Sequence, residues 1–525
     1  MQMGQNSSDE AVLKELGNRL SRYRLNRDLT QEALAEEAGI SKRTLIRLED
    51  GEPVQATNLI RVLRAHGLLQ NFDALVPEPA LSPIQRAKLQ GKARKLWGRD
   101  IGAVSWDVDG AIGNFEYDPA FRQSGIEIAP LTMPLSERIY SFPALPRPTY
   151  HGLPGLLADS LPDDFGNALI NAWLARQGRS PETFNPVERL CYTGTRGMGA
   201  LEYQPARGPA LDQSVEVDVG ALVDLASEIL TKRNTLQGSF LPDEREETLR
   251  DILRVGTSAG GARAKAIIAW NDQTGEVRSG QVSAGEGFSY WLLKFDGVSG
   301  NRDKELDDPA GFGLIEYAYY RMAKDAGIQM SDCRLLKEGG RSHFMTKRFD
   351  RTATGRKLHM QSLCAMEHFD FKRAGAYSYE QALQTIRKLD LSIEAVEEQF
   401  RRMAFNIIAR NQDDHVKNIA FLMDRAGSWS LSPAYDVTYS YNPSGDWTSS
   451  HQMTLNGKRD GFTIEDFDAC ARLASMKRGR AKEIVQEVRD AVSHWPTIAE
   501  ETGISDSRIM EIKRNQRLAI AGSGT

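Results

Sequence analysis

Residues 406–423 read NIIARNQDDHVKNIAFLM, and the fold turns on this stretch. An apolar, helix-patterned run leads into a polar loop, and an apolar strand-patterned run leaves it. Within the loop, Asp413 is followed five residues later by Asn418, with His415 and Lys417 between them. Phosphoryl transfer needs a carboxylate to orient a hydroxyl and take its proton, and oxygen ligands nearby for magnesium. Asp413 has the first role on this reading, and Asn418 is a metal ligand. His415 and Lys417 face phosphates or the loop backbone.

A second metal carboxylate should follow at the end of another strand. WSLSPAYDVTYS (429–440) supplies Asp436, preceded by Tyr435. A solvated acidic loop would look similar, and Asp-Asp-His is also compatible with a metal hydrolase. The hydrolase would need further His or Asp ligands at helical spacing, and the neighbouring sequence has none.

Upstream, VGTSAGGARAKAIIAW (255–270) carries Gly256, Gly260 and Gly261, whose backbone amides can turn toward a phosphate, with Arg263 and Lys265 adding charge. A glycine-rich turn alone is a weak signal. Lys294 strengthens it, because WLLKFD (291–296) sets one ammonium in an apolar strand, where an unpaired charge is costly. Contact with nucleotide phosphates, and a carboxylate partner such as Glu316 on the next helix, accounts for it; a lysine snorkelling from an edge strand is the alternative. HFMTKRFDR (343–351) is a further strand, whose end places Lys347, Arg348 and Phe349 beside an adenine.

The other end of the chain has a different character. LTQEALAEEAGISKRTLIRLED (29–50) reads as two short helices. Thr30 and Ser41 are caps, Gly39 makes the turn, and Leu34, Ala35, Ala38, Leu45, Ile46 and Leu48 face inward. Lys42, Arg43, Thr44 and Arg47 are left for DNA at the N-terminal end of a recognition helix, with its cap Ser41 and with Gln31 of the preceding helix as further DNA contacts. A protein-binding helical bundle is the alternative.

The 525 residues exceed one core, and 41% apolar with 26% charged residues is an ordinary globular balance. The net charge of −5 is uneven: residues 1–97 carry +3 and the remainder −8, which fits nucleic-acid contact at the front. No run of eighteen apolar residues suggests a membrane span, and the start lacks a secretory pattern. Four scattered cysteines, Cys191, Cys333, Cys364 and Cys470, suit a reducing cytosol. Strand patterns before helical ones, around one glycine loop, describe a two-lobed α+β enzyme behind an all-α head. The expected organisation is a helix-turn-helix domain over 1–75, a linker over 76–96 and a small α/β subdomain over 97–209. A first lobe over 210–365 and a helical second lobe over 366–525 complete it.

Several motifs occur together in order: DSLPDDFG (159–166), GTRGMGALEY (194–203), SAGGARAK (258–265), HFMTKRFDR, MQSLCAM (360–366), AYSYEQ (376–381) and NQDDHVKN. Over about residues 97–515 the chain resembles the HipA family of bacterial toxin kinases, and its front resembles the lambda-repressor-like helix-turn-helix of antitoxins. The resemblance implies a cytoplasmic, ATP- and magnesium-dependent Ser/Thr protein kinase with a protein-kinase-like fold. Asp413 would be the base, with Asn418 and Asp436 on magnesium. It implies autophosphorylation at Ser258, a translation-related substrate such as an aminoacyl-tRNA synthetase, operator DNA as a partner, and a homodimer. Two departures stand out. Ala264 occupies a position where many relatives carry proline, and the helix-turn-helix is in cis, so release of the toxin by degrading a separate antitoxin does not apply; a further antitoxin is one substitute. A transcription factor whose kinase half only senses nucleotide, and a small-molecule phosphotransferase, are the competing readings.

Overall fold

The computed structural model describes residues 8–71, 94–207, 214–232, 252–253, 263–298, 311–352 and 355–520. The chain divides into two compact units, Met1–Leu81 and Ser82–Thr525.

In the first unit four helices, Asp9–Leu25, Gln31–Ala38, Lys42–Glu49 and Ala56–Ala65, enclose Leu20, Leu34, Leu45, Leu48 and Val62. The Thr30 hydroxyl accepts from Ala33 N and that of Ser41 from Thr44 N, each at 3.1 Å. Gly39 between the two helices has φ +64°, a left-handed conformation that glycine adopts without a Cβ penalty. A buried polar contact ties the module: Arg24 donates to both carboxylate oxygens of Glu49, at 2.7 and 2.9 Å.

The second unit begins with a four-stranded antiparallel sheet, in the order Ile112–Tyr117, Arg99–Asp107, Arg94–Leu96, Leu201–Tyr203. Alternate residues such as Phe115 and Tyr117 point into a core with Leu153 and Leu190. A five-stranded antiparallel sheet follows, ordered Val277–Ser279, Lys265–Asn271, Phe288–Lys294, Arg341–Lys347, Cys333–Glu338. Its face is covered by Phe165, Leu169 and Leu174 of the helix Asp164–Arg176 together with the helix Val219–Lys232. The earlier subdomain and the first lobe therefore share one core.

The helix Phe312–Asp325 crosses between the lobes. Gly313 lets it lie against the sheet, because a Cβ there would meet Ser342 O at 2.1 Å. Its far side, Ile315, Tyr319 and Met322, belongs to the second-lobe core with Phe400, Phe405, Phe467 and Trp495. That lobe is built mainly of helices, including Tyr379–Lys388, Ile393–Ile408, Arg480–Ser493 and Trp495–Thr502. A small antiparallel sheet orders His359–Ser362, Ala420–Met423 and Trp429–Leu431. His359–Ser362, which the sequence reading groups with the first lobe, thus pairs inside the second. Strand pairing across some sixty residues leaves no trace in local pattern. No helix among the described residues is long and apolar enough to cross a membrane.

Candidate active site

The helix Ile393–Ile408 ends in a turn at Arg410, whose φ is +63°. The loop that follows runs through a short 3-10 turn, Val416–Asn418, into the strand Ala420–Met423. Beside it lies the segment around residue 440: Gln412 N donates to Ser440 O, and Ser440 N to Arg410 O, both at 3.0 Å. These bonds align the loop of Asp413 with the loop of Asp436. Asp436 itself is left-handed, φ +53°, an unfavourable conformation for a residue with a Cβ.

Asp413, His415, Lys417, Asn418, Tyr435 and Asp436 line one cavity of about 390 Å³ with Arg263, Lys265, Lys294, Lys347, Arg348 and Phe349. Gly256, Ser258, Gly260 and Gly261 lie outside the described residues. Asn418 donates its amide to Asp413 O at 2.9 Å, which turns the amide oxygen the other way. The Tyr435 hydroxyl donates to Lys417 O at 2.7 Å, and its ring lies 5.5 Å from that of Phe349.

Lys294 and Lys265 face each other across paired strands. Like charges so placed repel, and each is held by carboxylates from elsewhere. Lys294 Nζ contacts the Glu316 carboxylate and Asp436 Oδ1, the latter at 2.5 Å. Burial alone would lower the Lys294 pKa, but Asp436 and Glu316 outweigh it and raise it, so the ammonium stays charged. Glu316 also lies 3.4 Å from Arg263. Lys265 Nζ is 3.3 Å from Asp163, whose own pKa burial pushes up.

Two residues near the expected adenine position are placed differently from their neighbours. The Arg348 guanidinium is buried on Asp350, at 2.9 and 2.7 Å, and points toward the backbone of Gly197. Lys347 reaches the cavity from a strand end, while its side chain is about half exposed beside Asp332. Only Phe349 of the three offers a ring to the cavity.

Sequence reasoning missed three groups in the wall. Asp159 and Asp163 come from DSLPDDFG, a motif that carried the resemblance but received no role. Asp163 caps the helix Asp164–Arg176, accepting from Gly166 N at 2.6 Å, while it pairs with Lys265. Asp159 accepts from Ser362 N and Oγ at 2.7 and 2.8 Å. The third is Trp447, whose Nε1 donates to Asp413 Oδ1 at 2.7 Å. Only the aspartates had a signal, being paired acidic residues in a motif. The second acid of the Asp-Asp pair, Asp414, is not in the cavity wall. It is buried behind the loop, taking hydrogen bonds from Gln452 N and the Tyr379 hydroxyl and contacting His451 Nδ1 at 2.7 Å.

In the first unit, Arg43 is exposed and forms no ion pair among the described residues. Lys42 pairs with Glu32 at 3.0 Å and Arg47 with Glu52 at 2.7 Å, both at the surface. Thr44 Oγ1 lies 2.8 Å from the Ser41 hydroxyl. Gln31 is turned inward, its amide donating at 2.8 Å to Glu49 Oε2, the same oxygen that accepts from Arg24 Nη2.

Fold and cavity together define a kinase-like class of protein. Residues 95–204 match the HipA N-terminal domain, residues 257–495 the HipA-like C-terminal domain, and residues 15–75 a helix-turn-helix domain. The two HipA models together span well over half of the chain, and this chain belongs to the HipA family. Among solved structures it is similar to HipA in a complex with HipB and operator DNA from Shewanella oneidensis MR-1. The identity there is 17%, over 81% of this chain and 95% of that one, with a TM-score of 0.56. A proinflammatory kinase of Helicobacter pylori, CtkA, aligns at 9% identity over 43% of this chain and 92% of its own, with a TM-score of 0.25, too slight a likeness to argue from. No curated protein sequence matches.

Proposed function

We propose that this protein is an ATP- and magnesium-dependent Ser/Thr protein kinase that acts as a toxin and reads operator DNA through its own helix-turn-helix. The observation that carries the reading is the convergence of Asp413, Asn418 and Asp436 on one cavity with the Lys294–Glu316 pair.

The donor set fits magnesium. Asn418 turns its amide oxygen away from the loop backbone, and Asp436 keeps about a third of its side chain exposed. Two oxygen ligands from protein, completed by phosphates and water, suit that hard ion. Bound there, it would neutralise charge on the transferring phosphate. The chain's own residues do the rest. Lys294, kept cationic by its carboxylates, draws the phosphates to the end of its strand. Phe349 packs on the adenine. Asp413 orients the acceptor hydroxyl and takes its proton. Ser258, on the glycine-rich segment, is an autophosphorylation site in this reading, where added charge repels nucleotide phosphate.

The acceptor in trans is a translation-related protein such as an aminoacyl-tRNA synthetase. Arg43, Lys42, Thr44 and Arg47 meet operator DNA as part of a homodimer, in the cytoplasm, with or without a further antitoxin chain. Incubating the full chain with labelled ATP, magnesium and cell lysate tests the kinase reading. Label is expected on Ser258 and on one dominant lysate protein, and on neither with Asp413→Ala. Label that survives the substitution removes Asp413 from the mechanism. Tight nucleotide binding without any transfer would instead favour the nucleotide-sensing regulator.

A further inference from the structure

Six residues after Tyr441 begins a segment, WTSSHQ (447–452), that none of the recognised motifs includes. It is bonded to the loop of Asp413 at four points. Trp447 Nε1 donates to Asp413 Oδ1 at 2.7 Å. Gln452 N donates to Asp414 Oδ1 at 2.7 Å, and the Gln452 amide to Gln412 O at 3.2 Å. His451 Nδ1 meets Asp414 Oδ2 at 2.7 Å. The Gln452 amide also reaches back to the carbonyl of Trp447, so the indole is anchored to the loop it serves. Two of these bonds hold the buried Asp414 carboxylate and a third holds the Gln412 carbonyl. The fourth touches the reacting carboxylate, and it comes from the only one of these groups that also lines the cavity.

We propose that Trp447 is a positioning residue for phosphoryl transfer: its indole N–H holds the Asp413 carboxylate in the rotamer that meets the acceptor hydroxyl. This rests on the kinase reading above. A carboxylate has two rotatable bonds and, next to a mobile acceptor, several staggered positions of similar energy. A charge-assisted hydrogen bond selects one of them, and misplacement of a base by about 1 Å costs on the order of a hundredfold in rate. His415 Nε2, at 3.8 Å from the same Oδ1, is too distant for a hydrogen bond and does not substitute. Nucleotide contacts, carried by Lys294, Phe349 and Asp436, do not pass through the indole. The residue therefore acts on the transfer rate and not on ATP affinity.

Trp447→Phe keeps the ring in the wall and deletes the N–H. The full-length variant and wild type are compared for label transfer from ATP into lysate protein, for ATP concentration at half-maximal rate, and for melting temperature. The expected result is a rate at saturating ATP lower by roughly tenfold, the loss of one hydrogen bond to a charged group, with half-saturation and melting temperature unchanged. An unchanged rate overturns the proposal. So does a rate loss that is matched by weaker ATP saturation or a lower melting temperature, since that marks a packing role. Absence of transfer by the wild type would be a different failure, that of the kinase reading itself.

Discussion

Lys294 and Lys265 stand opposite one another on paired strands, and the carboxylates of Glu316, Asp436 and Asp163 reach them from outside the sheet. Removing two ammoniums from water is tolerable only when each finds close anionic partners. Glu316 on the crossing helix and Asp436 on the second lobe serve Lys294; Asp163 serves Lys265. The first of these partners is legible in sequence, because a lone lysine in WLLKFD demands a carboxylate and the next helix offers one. Asp163 is not, since nothing local connects it to a lysine a hundred residues away. Trp447 gives no signal at all: an indole donor looks like any half-buried tryptophan until its partner is seen. Glu316→Gln would leave Lys294 with Asp436 alone and free it to swing. ATP affinity, read by calorimetric titration, is expected to fall roughly fivefold to twentyfold, about 1–2 kcal/mol for one charge-assisted contact. Unchanged affinity would mean that Lys294 does not reach the phosphates.

At the scale of elements, what was legible is what is local. The helix-turn-helix lies within 22 residues, and its caps, turn glycine and apolar stripe are each set by neighbours three or four positions away. The loop of Asp413 shares this property, flanked by its helix and strand. Strand partners are not local: nothing in MQSLCAM shows that His359–Ser362 joins Ala420–Met423. Gln31 shows a subtler limit, because its position on the helix suggests DNA while Glu49 from the next helix draws it inward. Arg43 and Arg47 are exposed on that next helix, as is Lys42. Replacing both with alanine is expected to weaken binding to the upstream operator roughly tenfold or more, and to shrink the salt dependence by about two. Fluorescence anisotropy at several salt concentrations measures both. Equal binding by the double variant would rule out the recognition-helix assignment. Phosphate transfer should not change, since both arginines belong to the first compact unit.

For the whole molecule, the cavity is a meeting of distant segments. Residues near 160 in the HipA N-terminal domain, the ends of three first-lobe strands, the crossing helix and several second-lobe loops, among them those of Asp413, Asp436 and Trp447, each supply part of its wall. The two-lobed class could be read from the order of strand and helix patterns, yet the place of the N-terminal domain in that wall could not, because its acidic motif has no counterpart in sequence to point at. In the proposed function these segments hold a metal–nucleotide complex through Asp436 and Asn418. Calorimetric titration of ATP into the full chain, with magnesium and then with a chelator, tests it most directly when Asp436→Asn is run beside wild type. Wild type should bind ATP at least about tenfold more tightly with magnesium, and the variant should lose most of that difference. A variant with the same magnesium dependence as wild type, or a wild type that ignores magnesium, would contradict the account.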